Sequence, residues 1–258
     1  MALVFANLAA FYGALLLYLS AAAAYWLRRP AAVFLARIAL GLNAAAVCLR
    51  AARAGTLPLS NTYEFILLFA LAAGLLFFLP VGRDRDPAVG GVLFSLVALL
   101  FIFIPVFLPG QVTAVQPLAP ALRSLWLAAH VLTAVLAYGC FLTAAAGAAV
   151  RLLGRGAADG EAPRRLYRLI FFGFAALSVS IGLGAVWAEQ AWGSYWTWDP
   201  KETWALVTWI VYAIYLHLDR RRLWTEQTSY LVVCLGFILV LFTFFGVNFL
   251  LPGLHSYA

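Results

Sequence analysis

Charge is what this sequence has least of. Asp, Glu, Lys and Arg together make up 10% of its 258 residues, against 66% apolar side chains. Soluble globular domains run near a quarter charged and about half apolar, so a water-soluble fold is excluded: no core of this size hides that much apolar side chain. Cysteine is scarce as well. Cys48, Cys140 and Cys234 stand far apart in apolar runs, which reads as packing. The missing C-x-x-C spacing excludes a thiol oxidoreductase of that type, and the missing C-x-x-C-H excludes a c-type cytochrome. There is no internal repeat of 20–50 residues. The two halves also lack the matched broken helices of an inverted-repeat transporter. No chain of carboxylates runs through the apolar segments, which argues against a channel or proton-coupled carrier.

What is abundant is apolar sequence in blocks of about 20 residues, each long enough to cross ~30 Å of hydrocarbon as a helix. Eight such blocks are predicted, at roughly 4–27, 31–49, 62–80, 88–108, 122–150, 166–188, 203–218 and 227–250. The first is not a cleavable signal, because Arg28 and Arg29 follow it and no basic residue precedes it. The net charge of +7 is spread between the apolar blocks and not gathered on one face, so it marks topology and not nucleic-acid binding. Arg28, Arg29, Arg83, Arg85, Arg151, Arg155, Arg164, Arg165, Arg168, Arg220, Arg221 and Arg222 fall in alternate connections; the other set holds only Arg50, Arg53, Arg123 and Lys201. The positive-inside rule then places both termini outside the cytoplasm. The expected fold is all-α: a polytopic protein of the cytoplasmic membrane with about eight transmembrane helices, in one integral membrane domain over 1–258.

The connections on the outer side hold the unusual residues. Trp187, Trp192, Trp196, Trp198, Trp204 and Trp209 are six of the nine tryptophans. A belt at the lipid headgroups is one reading of them, but a belt spreads tryptophan over both interfaces and several spans. The other reading is a surface for a large flat apolar ligand such as a porphyrin, because an indole stacks its face and keeps its N–H for a polar partner. Gly193 lets the backbone approach closely. Asp199 and Pro200 are predicted as the N-cap and first residue of the next helix.

A porphyrin iron takes axial ligands, and the chain has three histidines. His130 lies seven residues below Arg123 near the outer end of its span, with Trp126 on the same helix face. An ionisable residue inside a span is a functional candidate by default. His255 follows the last span on the same outer side, where a solvated tail histidine is the other reading. His217 ends the seventh span on the cytoplasmic side, where a helix C-terminus also favours histidine. Two neutral imidazoles saturate an iron. Arg50, Arg53, Arg123 and Lys201 are candidates for propionate contacts, and Glu189, Asp199 and Glu202 for contacts with a basic partner.

The string Trp192-Gly193-Ser194-Tyr195-Trp196-Thr197-Trp198-Asp199, continuing Pro200-Lys201-Glu202-Thr203-Trp204, resembles the tryptophan-rich WWD motif of the CcsA (ResC-like) proteins of cytochrome c biogenesis system II. Pro58 to Glu64 (PLSNTYE) is similar to that family's early outer-loop motif. Trp126 to His130 and Gly246 to Tyr257 are similar to the segments that carry its two external histidines. The resemblance implies a component of a holocytochrome c synthase (a haem lyase). Haem b would dock under the external WWD loop at about 187–202, with Trp192, Trp196, Trp198 and Asp199 as the catalytic motif. His130 and His255 would be axial ligands, His217 would belong to an inner site, and Trp126, Trp187 and Trp204 would line the cofactor. It implies that the vinyl groups meet the thiols of an apocytochrome C-x-x-C-H, and that a separate CcsB (ResB-like) membrane protein is the partner. A carrier of the CcmC kind and a HemX-like regulatory membrane protein are the alternatives; the intact motif and its PKETW continuation favour the synthase. In one place the sequence departs from the family pattern: Asn43 stands where the partner of His217 is expected.

Overall fold

A computed structural model describes residues 1–82, 84, 86–115, 122–155 and 160–251, and among these every regular element is a helix. The helices are α1 (Ala2–Trp26), α2 (Ala32–Ala54), α3 (Thr62–Phe78), α4 (Pro87–Phe107), α5 (Pro109–Thr113), α6 (Leu125–Leu152), α7 (Ala162–Trp192), α8 (Pro200–Arg220), α9 (Glu226–Leu241) and α10 (Val247–Leu250). A π-helical turn, Phe242–Gly246, joins α9 to α10. Each of the eight apolar blocks coincides with a helix or, for the last, with the α9–α10 run. Six of these are long and apolar enough to cross a membrane: α1, α2, α4, α6, α7 and Glu226–Leu250. Helix α3 is apolar but has only 17 residues, about 25 Å of length. His255, the rest of the tail beyond Leu251, and the topology residues Arg83 and Arg85 lie outside the described residues.

The helices gather into two compact units, Met1–Leu118 and Ala119–Ala258. In the first, α1 packs against α2 and α4. Phe11, Tyr18 and Tyr25 recur every seven residues on α1 and are all buried. They meet Phe94 and Phe101, also seven apart, on α4: Phe11 stacks on Phe101 at 5.1 Å between centroids, and Tyr25 on Phe94 at 5.6 Å. A seven-residue repeat keeps one stripe of each helix facing the other, so the ladder sets the register of this pair.

The same unit absorbs two of the outer arginines. The guanidinium of Arg50 is 1% exposed; its Nε donates to Glu64 Oε1 at 2.8 Å and its Nη1 to the Ala114 carbonyl at 2.7 Å. Arg53 donates to Asn7 Oδ1 and to the Thr113 carbonyl. Both are candidates for propionate contacts; two of the five N–H donors of each guanidinium are engaged here, by partners 46 to 64 residues away in sequence or, for Arg50, also by Glu64 on the next helix. The PLSNTYE segment acquires a structural explanation at the same time. Asn61 caps α3 by accepting from Glu64 N, and Glu64 Oε2 accepts from the N–H and hydroxyl of Ser60. The carboxylate thus ties the loop and the start of α3 to α2.

The second unit is built on α6, whose stretch 137–148, ending in an alanine-rich run, is buried throughout. Helices α7 and α9 pack on it. Phe141 on α6 stacks on Tyr212 of α8 at 4.0 Å. Gly236 of α9 admits the Tyr212 ring, since a Cβ there would lie 2.5 Å from it.

Candidate functional site

The tryptophan-rich segment falls at the junction of α7 and α8, and two local devices shape it. Helix α7 ends at Trp192 because Gly193 adopts φ 75°, a left-handed cap that closes on the Glu189 carbonyl. Helix α8 begins with the expected cap. Asp199 accepts from Lys201 N at 3.0 Å, Pro200 takes the first helical position, and Glu202 reaches back to Asp199 N at 3.2 Å, completing a capping box.

Glu202 does more than cap. Its Oε2 also accepts from Thr197 N at 2.9 Å, so one carboxylate oxygen grips the backbone on both sides of Trp198. The Thr203 hydroxyl donates to the Trp198 carbonyl. Trp198 itself has φ 59°, a left-handed conformation that a bulky residue holds only when its surroundings enforce it. The result is an indole pushed outward, 68% exposed, beside an equally exposed Tyr195. Glu202, expected to be a contact for a basic partner, also serves as a loop clamp, because its Oε2 accepts from the backbone N–H groups of Thr197 and Asp199.

The tryptophans divide by exposure. Trp198 and Trp126 are exposed, whereas Trp192, Trp196 and Trp204 are half-buried. Trp196 meets Trp198 edge-on, with centroids 5.8 Å apart. Trp187 is 1% exposed and sets its ring edge-on to Trp192 at 4.8 Å. It backs the loop from inside the helix packing and does not face the opening. Trp204 packs edge-on against Phe242, where the π-helical turn begins.

His130 stands five residues into α6, about 8 Å from its start, half-buried and facing α7. Its Nδ1 lies 2.8 Å from the Ser180 carbonyl oxygen and 3.2 Å from the Ser180 hydroxyl, and that hydroxyl donates to the His130 carbonyl at 3.0 Å. Gly184, one turn further along α7, faces the imidazole. Trp187 follows three residues later. His130, Trp126 and the Trp loop therefore share one end of the second unit. His217 is exposed near the other end of α8, 17 residues past Pro200, or about 25 Å. Asn43 is fully buried in the first unit, where its amide donates to the Tyr18 hydroxyl at 3.1 Å. A cavity of about 1340 Å³ also lies at the far end of α7 and α8, against Arg164, Arg168, Arg220 and Arg222. It is separate from the tryptophan segment.

Residues that the sequence reading did not single out, Ser180 and Gly184, turn out to touch the histidine. The signal was available: Ser180-Ile-Gly-Leu-Gly184 is a small-x-x-x-small pattern in an apolar helix, which marks close approach of a neighbouring helix. Lys201 also has a placement that the charge pattern did not give. It is half-buried and its Nζ donates to Asn248 Oδ1 at 2.8 Å, fastening α8 to α10 seven residues before His255.

Burial lowers the Lys201 pKa to about 8, with Asp199 opposing part of that shift. Between about 8 and the ordinary 10.5 the unfolded chain holds a proton that the folded chain lacks. Stability contributed by this group therefore rises with pH across that window, by at most ~1.4 kcal/mol per pH unit, and is flat below it. Thermal unfolding in detergent from about pH 7 to 10, with Lys201→Gln subtracted, is expected to show that rise. A flat difference would mean that Lys201 titrates normally.

Comparison with known proteins identifies the family. A family model described as cytochrome C assembly protein matches residues 59–255. A "Cytochrome c biogenesis protein CcsA" of Synechococcus sp. (strain CC9902) is 35% identical over 265 residues, covering 89% of this chain and 87% of that protein. The protein of the same name from Parasynechococcus marenigrum (strain WH8102) is 35% identical over 94% of this chain and 93% of its own length. That of Chlamydomonas reinhardtii is 35% identical over 80% of this chain, which spans 62% of the algal protein. Among solved structures, a chain titled "Cytochrome c Heme Lyase CcmF" shares the fold, with a TM-score of 0.75 and 19% identity over 95% of this chain and 47% of that one.

Proposed function

The chain belongs to the cytochrome c assembly protein family, and from that premise we propose that it is the haem-handling subunit of a cytochrome c synthase. It holds haem b under the Trp192–Asp199 loop and presents it to apocytochrome c. The observation that carries this reading is the end of the second unit just described. A half-buried imidazole whose Nδ1 contacts Ser180 stands at the same end of the unit as a strained loop that projects a tryptophan outward.

The residues fit the group. A porphyrin brings four nitrogen donors of its own and asks of the protein only axial ligands and flat apolar faces. Among the described residues no three His, Cys, Asp or Glu side chains converge as a site for a bare metal ion. His130 supplies one imidazole. His255 supplies the other, its approach favoured by the Lys201–Asn248 bond, since seven residues of extended chain reach at most about 25 Å from Asn248. Trp198 would offer its exposed indole face to the porphyrin, with Trp196 edge-on behind it, and Trp126 stands one turn from His130 on α6.

When haem is held there, each apocytochrome thiol adds its S–H across a vinyl double bond. A C–S bond forms, the proton goes to the other vinyl carbon, and no group leaves. The chain's part is to orient the haem edge and exclude competing thiols and water. The loop faces outward from the cytoplasmic membrane, both termini of the described spans lie on that side, α3 and α8 also cross, and a ResB-like (CcsB) membrane protein completes the synthase.

The test is the absorption spectrum of the purified protein. Reduced samples are expected to show b-type haem bands, and protein without such bands after haem feeding would remove the reading. His217→Ala is expected to keep a substantial part of the bound haem, because His217 is exposed and Asn43, a poor iron ligand beside imidazole, stands where its partner is expected. Loss of all haem from that variant would put an intact second site at His217.

A further inference from the structure

The contact between α6 and α7 does more than join two helices. The Ser180 carbonyl has lone pairs and no proton, so at 2.8 Å the hydrogen must be on His130 Nδ1. The Ser180 hydroxyl supports the same assignment. Its proton goes to the His130 carbonyl at 3.0 Å, so towards Nδ1, 3.2 Å away, it too can only accept. Ser180 is 1% exposed, so water does not compete for these bonds. A neutral imidazole protonated at Nδ1 carries its basic lone pair on Nε2. Donation from Nδ1 to a carbonyl makes that lone pair a stronger metal donor and holds the ring plane still.

Gly184 sets where the ring stands. A Cβ at this position would lie 2.7 Å from His130 Nδ1 and 2.9 Å from Cε1. Any side chain there must rotate the imidazole, break the Ser180 contact or spread the two helices. Cε1 is bonded to Nε2, so each of these moves the donor atom. The neighbouring Gly182 has nothing within 4 Å of its Cβ position, so a demand for small residues is not general along this stretch of α7.

We propose that Ser180 and Gly184 are positioning residues for haem ligation: Ser180 selects Nε2 of His130 as the iron ligand, and Gly184 provides the notch that places the ring beneath the Trp loop. This rests on the assignment of His130 as an axial ligand made above. Neither residue touches the haem; both act through the imidazole.

The test uses the full-length protein purified with its haem in detergent, comparing wild type with Ser180→Ala, Gly184→Ala, Gly182→Ala and His130→Gly. The readouts are ferric absorption and electron paramagnetic resonance spectra, which report spin state and axial ligation independently of activity, together with thermal stability. Ser180→Ala keeps the backbone carbonyl that accepts from Nδ1 at 2.8 Å and removes only the hydroxyl at 3.2 Å, so it is expected to weaken the His130–iron bond by less than the about 10–100-fold that loss of the whole partner costs. It should show as an acid shift in the spectral midpoint at which the histidine protonates off the iron, reversed by added imidazole. Gly184→Ala should convert the low-spin iron to high-spin, also repaired by imidazole, while Gly182→Ala matches wild type. If Gly184→Ala fails to fold, His130→Gly decides with two added ligands: imidazole, which can donate an N–H to the Ser180 carbonyl, should bind the iron about 10–100-fold more tightly than 1-methylimidazole, which cannot. If His130→Gly changes the spectrum but a folded Gly184→Ala does not, or if the two added ligands bind alike, the positioning role is overturned and the ligand assignment stands. If His130→Gly leaves the spectrum unchanged, both fall.

Discussion

His130→Ala is expected to abolish maturation of a reporter cytochrome c, with added imidazole restoring part of it. The side chain is the half-buried imidazole of the second unit, held at Nδ1 by Ser180 and placed at the same end as the tryptophan loop. Removing it opens an axial position on the haem iron and leaves a space of imidazole size beside Gly184. A free imidazole therefore fits where the ring was. The loss expected is at least tenfold in holocytochrome yield, because disturbing only the partner behind a ligating histidine already costs ten- to a hundredfold. Trp198→Ala separates ligation from face contact. The indole stands 68% exposed on a strained backbone and contributes stacking alone, so its loss should weaken retention of the whole porphyrin without changing the iron's ligands. Imidazole should not repair it. Wild-type maturation by His130→Ala in the absence of imidazole would remove His130 from the site, and imidazole rescue of Trp198→Ala would assign the indole a ligand-positioning role.

What the sequence made legible was what depends on local order. Apolar blocks gave the helices because a span is a property of consecutive residues. Asp199-Pro200 gave a helix start because capping uses neighbours three residues apart. The WWD string pointed to the α7–α8 junction for the same reason. What stayed hidden was pairing across helices. Arg50 and Lys201 look alike in a charge pattern, yet one is sealed against Glu64 and the Ala114 carbonyl and the other fastens Asn248. Nothing in spacing separates Trp187, which is buried, from Trp198, which is exposed: the difference comes from the left-handed turn that Glu202 enforces. Ser180 reads as one small residue among several until its carbonyl is found on the histidine. The resemblance supplied the chemistry of the site, and the packing supplies the reason that its residues stand as they do.

Glu64→Ala is expected to destabilise the protein by about 3–5 kcal/mol, the range for removing one partner of a buried ion pair. Its carboxylate accepts from Arg50 and from both donors of Ser60, and the Arg50 and Glu64 side chains are only 1% and 3% exposed. Without it Arg50 keeps a charge in a buried site that offers the Ala114 carbonyl and the face of Tyr63 but no counter-charge. The loop before α3 also loses its anchor, while Asn61 continues to cap the helix only if Glu64 N stays in place. Replacing both partners by apolar residues of similar volume, Arg50→Met with Glu64→Leu, should recover much of the loss, since the buried pair's attraction is largely cancelled by the cost of desolvating it. The measurement is thermal or denaturant unfolding in detergent for the two single variants and the double. A second readout separates fold from chemistry. If PLSNTYE acts through this ion pair, the fraction of Glu64→Ala that remains folded should carry haem with the wild-type spectrum, because the ligand assigned here lies in the other unit. A stable Glu64→Ala protein with an altered iron spectrum would instead make the motif part of the haem site.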